Sequence, residues 1–185
     1  TRVAISIGQG LIKIWDYINQ TTIEKQVHDE SVQIMVGTLD GKNLIANLAD
    51  APIHVFDPES LNVKSVLDGT FNMPFFANLV VSSDNRLLIG ERVPDILVWD
   101  LLSGKMLGTL REAGFRYSVR VFQHSSDGVL LVGNEIGIWA FALPGLKEIY
   151  HFYENLPWVN EISIDETNKL AVTGSADGTI VVWNY

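Results

Sequence analysis

Short runs of alternating apolar and polar residues, separated by turn-forming pairs, fill this chain, and the clearest of them lies at residues 173–184. There Thr173-Gly174-Ser175-Ala176-Asp177-Gly178-Thr179-Ile180-Val181-Val182-Trp183-Asn184 reads as a strand, a tight turn and a second strand. The Asp-Gly pair supplies the positive φ angles of a short hairpin turn. Ile180 and Val182 alternate with Thr179, Val181 and Trp183, the period of a strand with two different faces. Weaker copies end in Lys13-Ile14-Trp15-Asp16, His54-Val55-Phe56-Asp57, Leu97-Val98-Trp99-Asp100 and Trp139-Ala140-Phe141-Ala142. Their aromatics, Trp15, Phe56, Trp99, Phe141 and Trp183, are spaced 41, 43, 42 and 42 residues apart. A period this constant marks a repeat architecture.

The alternation predicts strands throughout and almost no helix. The first unit has Val3 to Ile7, Leu11 to Asp16 and Thr22 to Val27; the second has Val32 to Val36, Asn43 to Leu48, Ile53 to Asp57 and Val63 to Leu67. The third runs Phe76 to Ser82, Arg86 to Gly90, then, after a longer Glu91-Arg92-Val93-Pro94 connection, Ile96 to Asp100 and Lys105 to Leu110. Val119 to Gln123, Val129 to Val132, Ile138 to Leu143 and Leu146 to Phe152 make the fourth; Val159 to Ile164, Leu170 to Thr173 and Thr179 to Asn184 make the fifth. Short strands with regular turn signals predict an all-β fold. A period of about 40–45 residues with four strands per unit predicts the blades of a propeller.

Composition narrows the function classes. With 185 residues, 47% of them hydrophobic, there is enough apolar material for a sizeable core. A net charge of −9 without any Lys or Arg run disfavours a nucleic-acid partner. Cysteine is absent, which removes disulfides and thiolate metal sites and fits a reducing compartment. Neither a membrane-length apolar run nor a signal-peptide pattern is present, and the expectation is an intracellular, cytoplasmic protein. The missing signal weighs little, because Thr1 stands partway through a strand pattern.

Spacing and strand endings together resemble the WD-repeat (WD40) β-propeller family over the whole chain, residues 1–185, with repeat ends near 16, 57, 100, 142 and 184. In that family a Gly-His pair precedes each inner strand and an Asp follows in the next hairpin. Here the histidine position holds His28, then Asn72, Phe115 and Asn155, and the glycine survives only as Gly114. The hairpin acid is Asp50 in the second unit and Asp177 in the fifth, Glu135 takes its place in the fourth, and it is displaced in the third. The resemblance implies a Trp, Ser or Thr, His and Asp tetrad inside each blade, and no unit completes it. The fifth has Trp183, Thr173 or Ser175, and Asp177 but lacks the histidine; the second has His28 and Asp50 but Phe56 for tryptophan. Blade stability is therefore expected to rest on packing, with Trp183→Ala costing about 3–5 kcal/mol if that ring is buried. The first unit lacks an innermost strand and the last an outermost one. Because propellers close to protect their edges, the chain is expected to be four to five blades of a longer, seven- or eight-bladed propeller.

Catalytic readings find little support. Gly8-Gln9-Gly10 lacks the helix that a phosphate loop needs behind it. Ser103-Gly104-Lys105 follows Trp99-Asp100 as a strand-linking turn. His54 and His124 fall within strands, and the His151 and Glu154 spacing would share a face only on a helix. No nucleophile, base and orienting acid stand at a recognisable spacing, so neither enzyme activity, cofactor nor metal is expected. A binding surface has more to recommend it. The resemblance implies that partners dock on the propeller end carrying the loops before the inner strands, through positions flanking the valine that opens each one. These are Ser31 and Gln33, Phe75 and Ala77, Ser118 and Arg120, and Trp158 and Asn160, with Arg116 and Tyr117 nearby. Aromatic and arginine side chains are enriched at interaction hot spots, although Phe75 and Trp158 would equally suit packing between blades. The expectation is a protein-binding scaffold for a protein or peptide partner, joined to other blades or domains of its own chain. Its alternatives are a regulatory propeller attached to a nucleotide-hydrolysing, kinase or membrane-trafficking module, and a propeller enzyme.

Overall fold

The structure, a computed structural model, describes residues 2–69, 76, 78–92, 95–110, 121–133, 137–152 and 158–185. Among the described residues there are eighteen strands and no helix. In chain order they are β1 (Arg2–Ile7), β2 (Leu11–Asp16), β3 (Thr21–Gln26), β4 (Val32–Gly37), β5 (Leu44–Leu48), β6 (His54–Phe56), β7 (Val63–Val66), β8 (Asn78–Val81) and β9 (Leu87–Arg92). There follow β10 (Asp95–Asp100), β11 (Met106–Leu110), β12 (Val121–His124), β13 (Val129–Gly133), β14 (Ile138–Ala142), β15 (Lys147–Phe152), β16 (Val159–Asp165), β17 (Leu170–Ser175) and β18 (Ile180–Asn184). They form five antiparallel meanders: β1-β2-β3, β4-β5-β6-β7, β8-β9-β10-β11, β12-β13-β14-β15 and β16-β17-β18. The all-β class and the blade-like units read from the alternation are those observed.

One connection differs. Glu91 and Arg92, expected in a loop, continue β9 and pair with Ile96 and Asp95. Arg92 Nη2 lies 3.0 Å from Asp95 Oδ2 across the last rung. Opposite charges on facing strand positions favour that rung, so the hairpin is shorter than its Pro-containing sequence suggests.

Each sheet buries its faces against its neighbours. Ile12 and Ile14 of the first sheet cluster with Leu44, Ala46, Leu48, Phe56 and Leu61 of the second. Ile45, Ile53, Val55 and Leu67, on the second sheet's other face, cluster with Leu79, Val81, Leu88, Leu97 and Trp99 of the third. Leu87, Ile89, Ile96 and Val98 then meet Leu130, Val132, Trp139 and Phe141, and Leu131, Ile138 and Ala140 meet Val159, Ile162 and Ala171. β5, buried at all five positions, consequently reads as a near-continuous apolar run broken by Asn47, because neither of its faces meets water. Close approach between sheets also selects glycine: a Cβ on Gly133 would lie 2.8 Å from Val159 Cγ1.

The repeat aromatics obey one rule: each faces the sheet before it. Phe56 belongs to the cluster with the first sheet, Trp99 to that with the second, and Phe141 to that with the third. Trp183 packs half-buried on the cluster shared with the fourth. Trp15 occupies the same position, and no sheet covers it in the structure; it is 41% exposed beside Val3, its cross-strand partner. A bulge stands immediately before the aromatic in the three central sheets, between Val55 and Phe56, Val98 and Trp99, and Ala140 and Phe141.

The cost of removing these rings follows their burial. Trp99→Ala is expected to lose about 3–5 kcal/mol. Trp183→Ala, short of full burial, is expected to lose about 1–2 kcal/mol, and Trp15→Ala about 0.5 kcal/mol or less. Denaturant titration of the three variants measures the order; equal losses would contradict the one-directional packing.

Candidate functional site

Successive turns of a meander emerge at alternate ends of its sheet. One end carries the connections entering the inner strands β4, β8, β12 and β16, together with the hairpins that join the second strand of each four-stranded meander to its third. The other carries the turns that follow the inner strands. The candidate interaction surface is the first of these ends.

Of the positions expected there, Ser31, Gln33, Trp158 and Asn160 are described; Phe75, Ala77, Arg116, Tyr117, Ser118 and Arg120 lie outside the described residues. The four described positions occupy matching places in two sheets. Ser31 O accepts a hydrogen bond from Ala49 N at 2.9 Å, and Trp158 O accepts one from Ala176 N at 3.0 Å. In both sheets the ladder then slips by one residue, between Val32 and Ile34 and between Val159 and Glu161. Gln33 and Asn160 are the extra residues of these bulges, which the alternation of apolar and polar positions did not reveal. A bulge re-aims the side chain it carries. Trp158 is 47% exposed and has φ = +40°. A bulky residue at positive φ costs on the order of 1–3 kcal/mol, a strain that clusters at functional positions.

The tetrad positions are dispersed. Trp183 Nε1 donates to Thr173 Oγ1 at 2.8 Å, which resolves the choice between Thr173 and Ser175. Asp177 accepts from Thr179 N and Oγ1 within its own turn. His28 Nδ1 accepts from Glu30 N at 3.0 Å, and Asp50 is exposed with φ = +54°. Trp99 Nε1 donates to the backbone oxygen of Asp68, at 3.0 Å; Phe56 and Phe141 are fully buried. Asn72, Gly114, Phe115, Glu135 and Asn155 lie outside the described residues. Gly10 belongs to the structural account as well: a Cβ there would stand 2.1 Å from His28 O, so this glycine admits a close backbone approach.

The acids that end the repeats are turn caps. Asp16 Oδ1 accepts from Ile18 N and Asn19 N, both at 3.0 Å. Asp57 accepts from Glu59 N and Ser60 N, and Asp100 from Ser103 N and Oγ. Bonds from Asn19 hold the Asp16 carboxyl down at about 2, and turn amides lower Asp57 and Asp100 too. Asp165 caps the turn at Thr167 and Asn168, and Glu166 accepts from Ser126 N and Oγ. His54 Nδ1 lies 2.7 Å from Pro52 O, and His151 pairs with Glu148. Among the described residues no cluster of three or more His, Asp or Glu side chains is arranged to hold a metal.

Glu91 is a strongly perturbed acid near the loop-bearing end. It shares the face of Ile89 and Ile96 that packs toward the fourth sheet, and only 4% of it is exposed. Burial pushes its carboxyl up to about 7. In the sequence Glu91 falls in the longer Glu91-Arg92-Val93-Pro94 connection expected between strands.

The geometry defines a class first, an array of propeller blades presenting loops at one end. No family model matches the chain. It is 26% identical over 107 residues to the U3 small nucleolar RNA-associated protein 21 homolog of Schizosaccharomyces pombe, covering 57% of this chain and 12% of that protein. Against the SIR4-interacting protein SIF2 of Saccharomyces cerevisiae it is 24% identical, covering 78% and 29%. Against the WD repeat-containing protein 55 homolog of Drosophila ananassae it is 22% identical, covering 99% and 38%. The chain thus spans well under half the length of these relatives. With the repeat period and the five meanders, these similarities support a WD-repeat assignment with divergent repeats.

Two pH dependences follow. Depressed carboxyls contribute stability above their ordinary values and lose it as pH falls through the folded ones. The melting temperature is therefore expected to drop between about pH 4 and pH 2, and Asp16→Asn to shift the acid limb by abolishing one such contribution. Glu91 acts with the opposite sign. Its raised folded value makes ionisation a penalty that grows from about pH 4.5 to about pH 7. Glu91→Gln is expected to raise stability at pH 8 by roughly 1–3 kcal/mol and to leave it little changed at pH 4, as denaturant titrations at the two pH values would report.

Proposed function

We propose that the chain is a non-catalytic protein-interaction scaffold that binds a protein or peptide partner at the end of the propeller carrying the loops before the inner strands. The observation that carries this is Trp158: a large ring, half in solvent, held at positive φ beside the bulged Asn160. Hot spots draw on such aromatics, and a display surface built on packed sheets loses little ordering entropy on binding. Ser31 and Gln33 share the carbonyl hydrogen bond and the bulge in the second sheet, without the positive φ. Arg120 and Phe75 belong to this surface by the resemblance between repeats.

Membership of the WD-repeat family supports a protein-interaction role in general. Two relatives bear names of association, one with a small nucleolar RNA and one with SIR4, which favours an intracellular setting and an assembly. For a chain of net charge −9, a protein within such an assembly is a better direct partner than its nucleic acid. The greater length of the relatives supports further blades or domains around this segment.

The double variant Trp158→Ala with Arg120→Ala tests the surface. Quantitative affinity capture from source cells is expected to lose a defined set of proteins, with a melting temperature within about 2–4 °C of the parent. A large fall in melting temperature with unchanged capture would mean that both side chains serve packing instead.

A further inference from the structure

At the opposite end of the sheets the turns that follow the inner strands are tied across the seams. Between the second and third sheets, Leu39 N donates to Asn85 Oδ1 at 2.6 Å. Between the fourth and fifth, Ser126 N donates to Glu166 Oε1 at 2.8 Å and Lys169 Nζ to Asp127 Oδ2 at 2.6 Å. Among the described residues the first sheet has no turn of this kind, and its tie to the second runs from Lys25 of β3, whose Nζ donates to Asn62 Oδ1 of the β6–β7 connection at 2.6 Å. At the seam between the third and fourth sheets the turns at 82–86 and 125–128 stand apart and enclose a pocket of about 210 Å³.

We propose that this pocket is a second docking site, on the end of the propeller opposite Trp158, for an extended partner segment that inserts one aliphatic or aromatic side chain beside a basic residue. The volume suits a single large side chain, below the roughly 300–1,000 Å³ of small-molecule sites. Leu87, Leu107, Leu143 and Pro144 supply its apolar wall. The walls are formed before any partner arrives: Leu101 N donates to Arg86 O and Leu143 N to Gly128 O, both at 2.7 Å, and Ser82 Oγ accepts from Leu87 N at 2.8 Å. Asp84 and Asp100 line the rim with Arg86, whose charge acts on both. One cation against two anions leaves the rim negative. A Lys or Arg next to the anchor complements it, while an acidic segment meets net repulsion.

The probes are short synthetic peptides with one central Leu flanked by Arg, a matched set flanked by Glu, and a set with Ala for Leu. They are titrated into the whole chain and followed by backbone-amide NMR. The expected result is saturable shifts at Ser83 and Ser126 with the Arg-flanked Leu peptides, at least about tenfold weaker with the Glu or Ala sets. Leu107→Lys, and independently Ser83→Trp, are expected to weaken binding about tenfold or more. Leu102→Lys, at a site 90% exposed and outside the pocket, is expected to leave it unchanged. The Trp158→Ala, Arg120→Ala variant is expected to bind these peptides as the parent does, so failure of the other surface does not decide this one. The proposal is overturned by tighter binding of the Glu-flanked set, by no saturable binding of any set, or by folded Leu107→Lys and Ser83→Trp proteins that bind like the parent.

Discussion

A sheet with apolar residues on both faces cannot bury either of them by itself, and this condition organises the whole molecule. Leu44, Ala46 and Leu48 point to one neighbour of β5 while Ile45 points to the other, so the second sheet is stable only as the middle of a stack. The same holds for the third and fourth. Stability in such an array is close to a sum of nearest-neighbour interfaces, which explains how the chain tolerates incomplete tetrads. A hydrogen bond contributes only about 0.5–1.5 kcal/mol net, whereas a fully buried Leu, Ile or Phe contributes about 1.5–3 kcal/mol. Each interface contains many of the latter.

The aromatic at the end of each third strand turns this condition into a direction. Because it faces the preceding sheet, its burial depends on the neighbour and not on its own blade, and Trp99 and Trp15 show the two extremes. Where the indole nitrogen is buried it still needs an acceptor. Trp99 takes a backbone carbonyl from the preceding connection, Asp68 O, and Trp183 takes Thr173 Oγ1 within its own blade. Two solutions to one requirement explain why the residues forming a tetrad in better-preserved repeats vary here without loss of the sheet.

Period-two alternation and Asp-Gly turns made the strands legible, and the spacing of Phe56, Trp99, Phe141 and Trp183 made the repeat legible, because both patterns are imposed locally by the pleat and by the neighbouring sheet. What the sequence concealed depends on rungs and partners. The bulge at Gln33 leaves no compositional trace, since Ile34, Met35 and Val36 are apolar on both faces, whereas the one at Asn160 shows only as the polar doublet Asn160-Glu161 between Val159 and Ile162. Glu91 and Arg92 look like loop residues until Asp95 is seen across the rung from Arg92. The ring of Trp183 is only partly buried, because the motif specifies the ring but not how much of the neighbour reaches it. Of the loop-bearing end, the sequence showed which positions flank the inner strands; the positive φ of Trp158 is a property of the assembled backbone.

The two ends of the array answer different physical demands, and this bears on where binding evolves. Turns that follow the inner strands are short and capped by their own Ser and Asp side chains, as in Ser82 with Asp84, Ser125 with Asp127 and Thr38 with Asp40. Their polar groups are largely consumed locally, and what remains joins adjacent sheets through Asn85, Glu166 and Lys169. Of the connections entering the inner strands, the one before β4 is bonded within itself as well, His28 Nδ1 accepting from Glu30 N and His28 O from Gln26 Nε2. At the other end a gap opens at the third–fourth seam and also, beside Thr38, Gly41 and Asn43, at the first–second seam, since turns fixed by their own caps do not close over the space between adjacent sheets.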